Sequence, residues 1–133
     1  MKYLLDTDIC IYILRDQPPA VAARFKRLRT DAIGISAIAM SELAFGAAKG
    51  TSPHNRERLA AFLSTLSILP FDAEAASAYG DLRAELERRG RPIGSMDLLI
   101  AAHALALDVI LVTNSEREFK RVPGLRVENW TRG

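Results

Sequence analysis

Short apolar runs alternate along the chain with longer stretches whose apolar positions recur every three or four residues, a pattern that predicts strands and helices taking turns. Lys2 to Leu5 reads as a first strand, cut off by Asp6 and Asp8 on either side of Thr7. Ile9 to Leu14 follows as a helix with Arg15 at its end, and Pro18-Pro19 opens a second whose Val21, Phe25 and Leu28 fall at helical spacing. Asp31 to Ile35 reads as the next strand, and Ser36 as the N-cap of a small-residue helix from Ala37 to about Lys49, with Gly50 as its stop.

The second half repeats the alternation. After Pro53, Leu59, Phe62, Leu63 and Leu66 mark one face of a helix with Asn55, Arg56, Glu57 and Arg58 on the other, and Ser67 to Leu69 is a short strand. Ala75, Ala76, Tyr79, Leu82 and Leu86 define a helix closed by Arg88-Arg89-Gly90, bases at the negative end of the dipole and a glycine beyond them. Gly94-Ser95 introduces a helix from Met96 to Leu107, apolar on nearly all sides except Asp97 and His103, which predicts a central, buried position. Val109 to Val112 is a buried strand; Thr113-Asn114-Ser115, a polar segment through Lys120, a Pro123-Gly124 turn and a last strand around Arg126 to Asn129 complete the chain. Such alternation predicts an α/β fold, a mostly parallel sheet between two layers of helices.

At 133 residues and 49% hydrophobic composition, one domain spanning 1–133 is expected, without internal repeats or linkers. The single Cys10 forms no disulfide framework or thiolate cluster and reads as a buried apolar residue in a reducing compartment, so the cytoplasm is the expected location. The longest uncharged run, Leu59 to Phe71, falls well short of the ~20 apolar residues a membrane helix needs. Net charge is only +2, yet 14 of the 18 basic residues are arginine, grouped around Arg24–Arg29, Arg83–Arg91 and Arg117–Arg121. Arginine suits bidentate contact with phosphate, but on composition alone a solvated surface with ordinary helix pairs such as Glu85 with Arg89 is the better account of these groups.

The acids carry more information. In parallel α/β sheets the ligand crevice lies beyond the carboxyl ends of the strands, where Asp6, Ser36, Asn114 and Ser115 are expected. An aspartate there can simply cap the next helix. Glu42, however, is flanked at helical spacing by Ile38, Ala39, Phe45 and Gly46, so its side is expected to face the core, and Asp97 opens a nearly all-apolar helix. Carboxylates on apolar elements at one sheet edge repel and lose charge unless a cation sits among them. Oxygen-only donors select a hard ion, Mg²⁺ or Mn²⁺. Neither histidine has zinc-like spacing: His103 reads as a satisfied structural residue and His54 as a surface loop residue. There is no Gly-rich phosphate loop and no Gly-x-Ser-x-Gly elbow.

Four motifs in order, Leu4-Leu5-Asp6-Thr7-Asp8, Ser41-Glu42-Leu43-Ala44-Phe45-Gly46, Asp97-Leu98-Leu99-Ile100-Ala101-Ala102-His103-Ala104 and Val112-Thr113-Asn114-Ser115-Glu116-Arg117-Glu118-Phe119, resemble those of PIN-domain VapC toxins from Lys2 to Trp130. The stretch Arg117 to Leu125 further resembles the VapC branch that cuts initiator tRNA in its anticodon stem-loop. The resemblance implies a PIN-like three-layer α/β/α domain and a metal-dependent endoribonuclease, the toxin of a type II toxin–antitoxin pair. It assigns metal and catalytic roles to Asp6, Glu42 and Asp97. Glu118 is the fourth acid this branch offers, because Ser115 stands where many relatives carry aspartate; Thr7, Asn114 and Ser115 become supporting groups, and the role of Asp8 stays open. It also implies water as the nucleophile, products with a 5′ phosphate and a 3′ hydroxyl, a VapB-type antitoxin and a homodimer. Two other readings stay open: a degenerate PIN module that binds RNA or a partner without cutting, and a phosphatase of the haloacid dehalogenase type suggested by Asp6-x-Asp8. Trp130 reads as a core residue that could also serve an interface.

Overall fold

A computed structural model describes residues 1–50 and 52–132. Five parallel strands, β1 (Tyr3–Leu5), β2 (Ile33–Ser36), β3 (Ser67–Leu69), β4 (Ile110–Val112) and β5 (Val127–Glu128), lie in the order β3-β2-β1-β4-β5. Between them run α1 (Thr7–Arg15), α2 (Pro19–Arg27), α3 (Ala37–Lys49), α4 (Pro53–Leu63), α5 (Ala73–Arg88), α6 (Ser95–Leu107) and the single turn α7 (Glu116–Phe119). With every strand parallel, all carboxyl ends point the same way, and β1 lies in the middle.

The period-two alternation of the central strands divides the core between the two faces of the sheet. Tyr3 and Leu5 of β1 join Ile9, Val21, Leu59 and Phe62 under α1, α2 and α4. Leu4, between them, joins Leu82, Leu86, Ile100 and Phe119 under α5, α6 and α7. Trp130 is buried on the first of these faces, its ring edge-to-face with Tyr3 at 5.4 Å, so it is a core residue. Cys10 is likewise fully buried.

Local chemistry sets the boundaries. Ser36 accepts from the Ile38 N–H at 3.0 Å to start α3, and Asp72 accepts from the Ala75 N–H at 3.0 Å to start α5. At the end of α5, Gly90 adopts φ +64°, and the Gly90 and Arg91 N–H groups return to the carbonyls of Glu87 and Leu86. This is the left-handed stop that the Arg-Arg-Gly ending predicts. Gly34 answers to close approach: a Cβ there would stand 2.7 Å from Leu69 Cδ2 and 3.1 Å from the Ser67 carbonyl of the neighbouring strand.

Several expectations are corrected. Asp31 lies in a 3₁₀ turn (Thr30–Ala32) and not in β2, Leu66 lies beyond α4, and β5 is confined to Val127–Glu128. The polar segment before Lys120 holds a helical turn, α7, because buried Phe119 anchors it to the core. His54 is exposed as expected, but on the first turn of α4 and not in a loop. No described helix is long and apolar enough to cross a membrane.

Candidate metal centre

Asp6 is the first residue beyond central strand β1 and is 4% exposed. Its two carboxyl oxygens are held separately: Oδ1 accepts from the Thr7 N–H at 2.8 Å and Oδ2 from the Thr113 hydroxyl at 2.7 Å. Asp6 is therefore the N-cap of α1, with its second oxygen anchored from the far end of β4. Burial, followed by repulsion from Asp8, pushes its carboxyl up to about 7 despite these donors.

Glu42 arrives from α3. The Thr7 hydroxyl donates to Glu42 Oε1 at 2.7 Å, tying the start of α1 to the middle of α3. Its surroundings differ from the expected core-facing side: Glu42 is half-buried, Gly46 is exposed and Phe45 is 66% exposed. The reason is that α3 buries its Ala39–Leu43 edge, while the positions after Leu43 run out past the end of the sheet.

Asp97, in the first turn of α6, is half-buried. Burial, then its hydrogen bond with Glu118, then repulsion from Asp6, Glu118 and Glu42 push its carboxyl up to about 8. Glu118 moves the opposite way, held below its ordinary range by that same hydrogen bond and by the Gly94 N–H, which donates to Oε1 at 2.7 Å. In this pair the proton belongs on Asp97 and the charge on Glu118, because only Glu118 has a backbone donor. A Cβ built on Gly94 would lie 3.5 Å from Glu118 Oε1 and 3.6 Å from Asp97 Oδ2, so both carboxyls face one point beside the start of α6. The fold thus gathers Asp6, Glu42, Asp97 and Glu118, from four elements, into one electrostatic neighbourhood.

Two residues left without a role by sequence reasoning also stand here. Thr113, fully buried, orients Asp6 and also accepts from the Ser115 N–H at 3.0 Å. Asp8 faces the same loop: its Oδ2 accepts from the Asn114 N–H at 3.1 Å and lies 3.5 Å from the Ser115 hydroxyl. Its other oxygen, Oδ1, is buried without a hydrogen-bond partner. Asn114 in turn donates to the Tyr12 hydroxyl and accepts from Asn129, so the supporting residues form a network beside the acids. His103 stands apart, buried, with Nδ1 2.8 Å from Ser36 Oγ; burial lowers its pKa, as a structural histidine requires.

A divalent cation fits this donor set. The donors are oxygens alone, Asp8 Oδ1 is orphaned, and Asp6 and Asp97 cannot both be charged at neutral pH without compensation. The set is open: among the described residues no three acidic, histidine or cysteine side chains stand close enough to enclose an ion.

Residues 3–125 match the PIN domain. The chain is 43% identical over 132 residues to the tRNA(fMet)-specific endonuclease VapC of Shigella flexneri, covering 98% of this chain and 99% of that protein. It is 44% identical over 132 residues to ribonuclease VapC2 of Rickettsia felis, covering 98% of each. Among solved structures, VapBC2 from Rickettsia felis bound to a DNA fragment from their promoter matches at TM-score 0.91 and 43% identity, covering 98% of this chain and 99% of that one. DNA-bound VapBC from Salmonella typhimurium matches at TM-score 0.92 and 41% identity, covering 98% of each. These matches run through all four acid-bearing segments and leave no room for the dehalogenase-type phosphatase. By its ordered motifs, its β3-β2-β1-β4-β5 sheet and its full-length relatives, the chain belongs to the PIN-domain family, among the VapC ribonucleases.

Proposed function

We propose that this single-domain chain is a metal-dependent endoribonuclease that cuts tRNA, with initiator tRNA as its target, and that it acts as the toxin partner of a VapB-type antitoxin. The names of its relatives support the substrate and the partner. The observation that carries the chemistry is the convergence of carboxyls beyond β1: Asp6 held by the Thr7 N–H and the Thr113 hydroxyl, Glu42 held by the Thr7 hydroxyl, and Asp97 close enough to feel the charges of Asp6, Glu42 and Glu118.

Metal dependence is a property of PIN nucleases; Mg²⁺ or Mn²⁺ is the proposed ion, with Asp6 and Asp97 as its direct ligands, Glu42 as a further ligand or as the group that orients its water, and Glu118 as the fourth acid. Such an ion lowers the pKa of an attacking water and offsets charge on the scissile phosphate. The chain's own part is positioning. Asp6 is fixed by donors from both sides, Glu42 is aimed by the Thr7 hydroxyl, and Glu118 is pinned by the Gly94 N–H. Glu118, the charged member of its pair, is the ligand of a second ion or the general base toward the attacking water. The protein is proposed to act as a homodimer in the cytoplasm.

Purified protein incubated with total tRNA and Mg²⁺ should generate one new 5′ end in the anticodon stem-loop of initiator tRNA, and a chelator should prevent it. Tight tRNA binding without any new end under either metal would instead support the degenerate binding module, which the replacement of an acid by Ser115 alone favours.

A further inference from the structure

A groove of about 530 Å³ opens beside the acids, between α1, α3 and α4, with Thr7 and Glu42 at one end. Its floor is apolar, built from Ile11, Leu43 and Leu59, and its wall is Phe45, the most exposed large apolar residue of the described chain. Three cations border it: Arg15 from α1, Lys49 from α3 and Arg58 from α4. Lys49 Nζ stands 5.3 Å from the centre of the Phe45 ring, and Arg58 donates to the Leu14 carbonyl across the groove.

The arginine groups conspicuous in the sequence are partly neutralised, although Arg27, Arg91, Arg117 and Arg121 in them have no carboxylate partner among the described residues. Arg24, Arg29, Arg83, Arg88 and Arg89 each have a carboxylate partner. Among the described residues, Arg15, Lys49 and Arg58 have none, and Glu42 is the only acid lining the groove. A flat aromatic surface, an apolar floor and uncompensated cations together match an unpaired nucleotide, whose base stacks on an aromatic face while its phosphates meet cations. A peptide would match the floor equally well but would need its own acids to match the rim.

We propose that this groove receives an unpaired nucleotide of the RNA next to the cleaved bond, with Phe45 as the stacking surface and Arg15, Lys49 and Arg58 as the phosphate-facing cations. The proposal rests on the nuclease function above and adds the feature that selects loops over paired RNA. Because Phe45 is exposed, its truncation leaves the core intact.

The test uses the full chain carrying Asp6→Asn, so that binding is read without cleavage, and fluorescence anisotropy with labelled initiator tRNA and with a blunt RNA duplex. Adding Phe45→Ala should weaken tRNA binding by about fivefold to a hundredfold, the range for one lost stacking contact, and leave duplex binding unchanged. Phe45→Trp should restore affinity where Phe45→Leu does not. Arg15→Ala and Lys49→Ala should each lower the slope of log affinity against log salt by about 1. Equal tRNA binding by the Phe45→Ala and parent chains, or full rescue by leucine, would overturn the proposal and leave the groove to a protein partner. In the Asp6-intact chain, cleavage with unchanged KM after Phe45→Ala would sink the groove alone, whereas no cleavage by the parent would remove the nuclease function as well.

Discussion

Thr113 donates its hydroxyl proton to Asp6 Oδ2 across 2.7 Å, joining two residues 107 positions apart at the centre of the site. The bond is buried and fixes the direction in which the Asp6 carboxyl presents its remaining lone pairs. Partners of this kind set the geometry of a ligand without touching the ion.

Thr113→Val should therefore lower cleavage by about 10- to 100-fold, the usual cost of losing a supporting hydrogen bond to a metal ligand. Thr113→Ser, which keeps the hydroxyl, should recover most of it. Single-turnover cleavage of tRNA across a Mg²⁺ titration is the measurement. Equal activity of the valine and parent chains would contradict the orienting role.

Asp6→Asn should abolish cleavage while the far-ultraviolet circular dichroism stays native. It should also raise the melting temperature of metal-free protein above pH 7, because it removes a carboxylate that burial and Asp8 make costly to ionise. Mg²⁺-dependent cleavage by this variant would contradict the proposed site.

Stability should depend on pH in a defined sense. Asp6 and Asp97 have folded values of about 7 and about 8 against an ordinary 3.8, so the folded chain holds protons that the unfolded chain has released. Their contribution is fully present below about pH 4, falls progressively as pH rises from there, and is gone once pH has passed the folded values of about 7 and about 8. Metal-free protein should then melt at progressively lower temperature across that interval. Added Mg²⁺ or Mn²⁺, which favours the charged carboxylates, should raise the melting temperature at pH 8 more than at pH 5. Differential scanning calorimetry at several pH values with and without metal tests both statements.

Ser36→Ala should destabilise the fold by about 1–3 kcal/mol, since it leaves the buried His103 Nδ1 unpaired and removes the cap of α3. Urea denaturation measures the loss. Cleavage by the protein that remains folded should be close to normal, because His103 lies outside the acid cluster.

The lost duties of individual residues show why some of the site was invisible at first. Thr113 looks like an ordinary loop polar in the sequence and Asp8 is an acid without a role, and only the pairing of β1 with β4 brings Thr113 onto Asp6 and the Asn114–Ser115 loop onto Asp8. Glu42 was expected on a core-facing side, yet α3 runs out past the sheet, so half of that side becomes the wall of an open groove. Helical periodicity reports which side is apolar but not whether a neighbour covers it.

By itself the sequence determined the alternation of strands and helices, the caps at Ser36 and Gly90, the burial of Cys10 and Trp130, and the unusual placement of Asp6, Glu42 and Asp97, whereas Glu118 joined them only through the family resemblance. These follow from local periodicity and from residue types whose chemistry is expensive to place on apolar elements. Tertiary structure alone decided which hydroxyl and amide each carboxylate would meet, which arginines would be neutralised, and that three cations without a carboxylate partner among the described residues would share one groove with Phe45. Those are contacts between segments far apart in the chain, set by strand order and helix packing, and no local pattern encodes them.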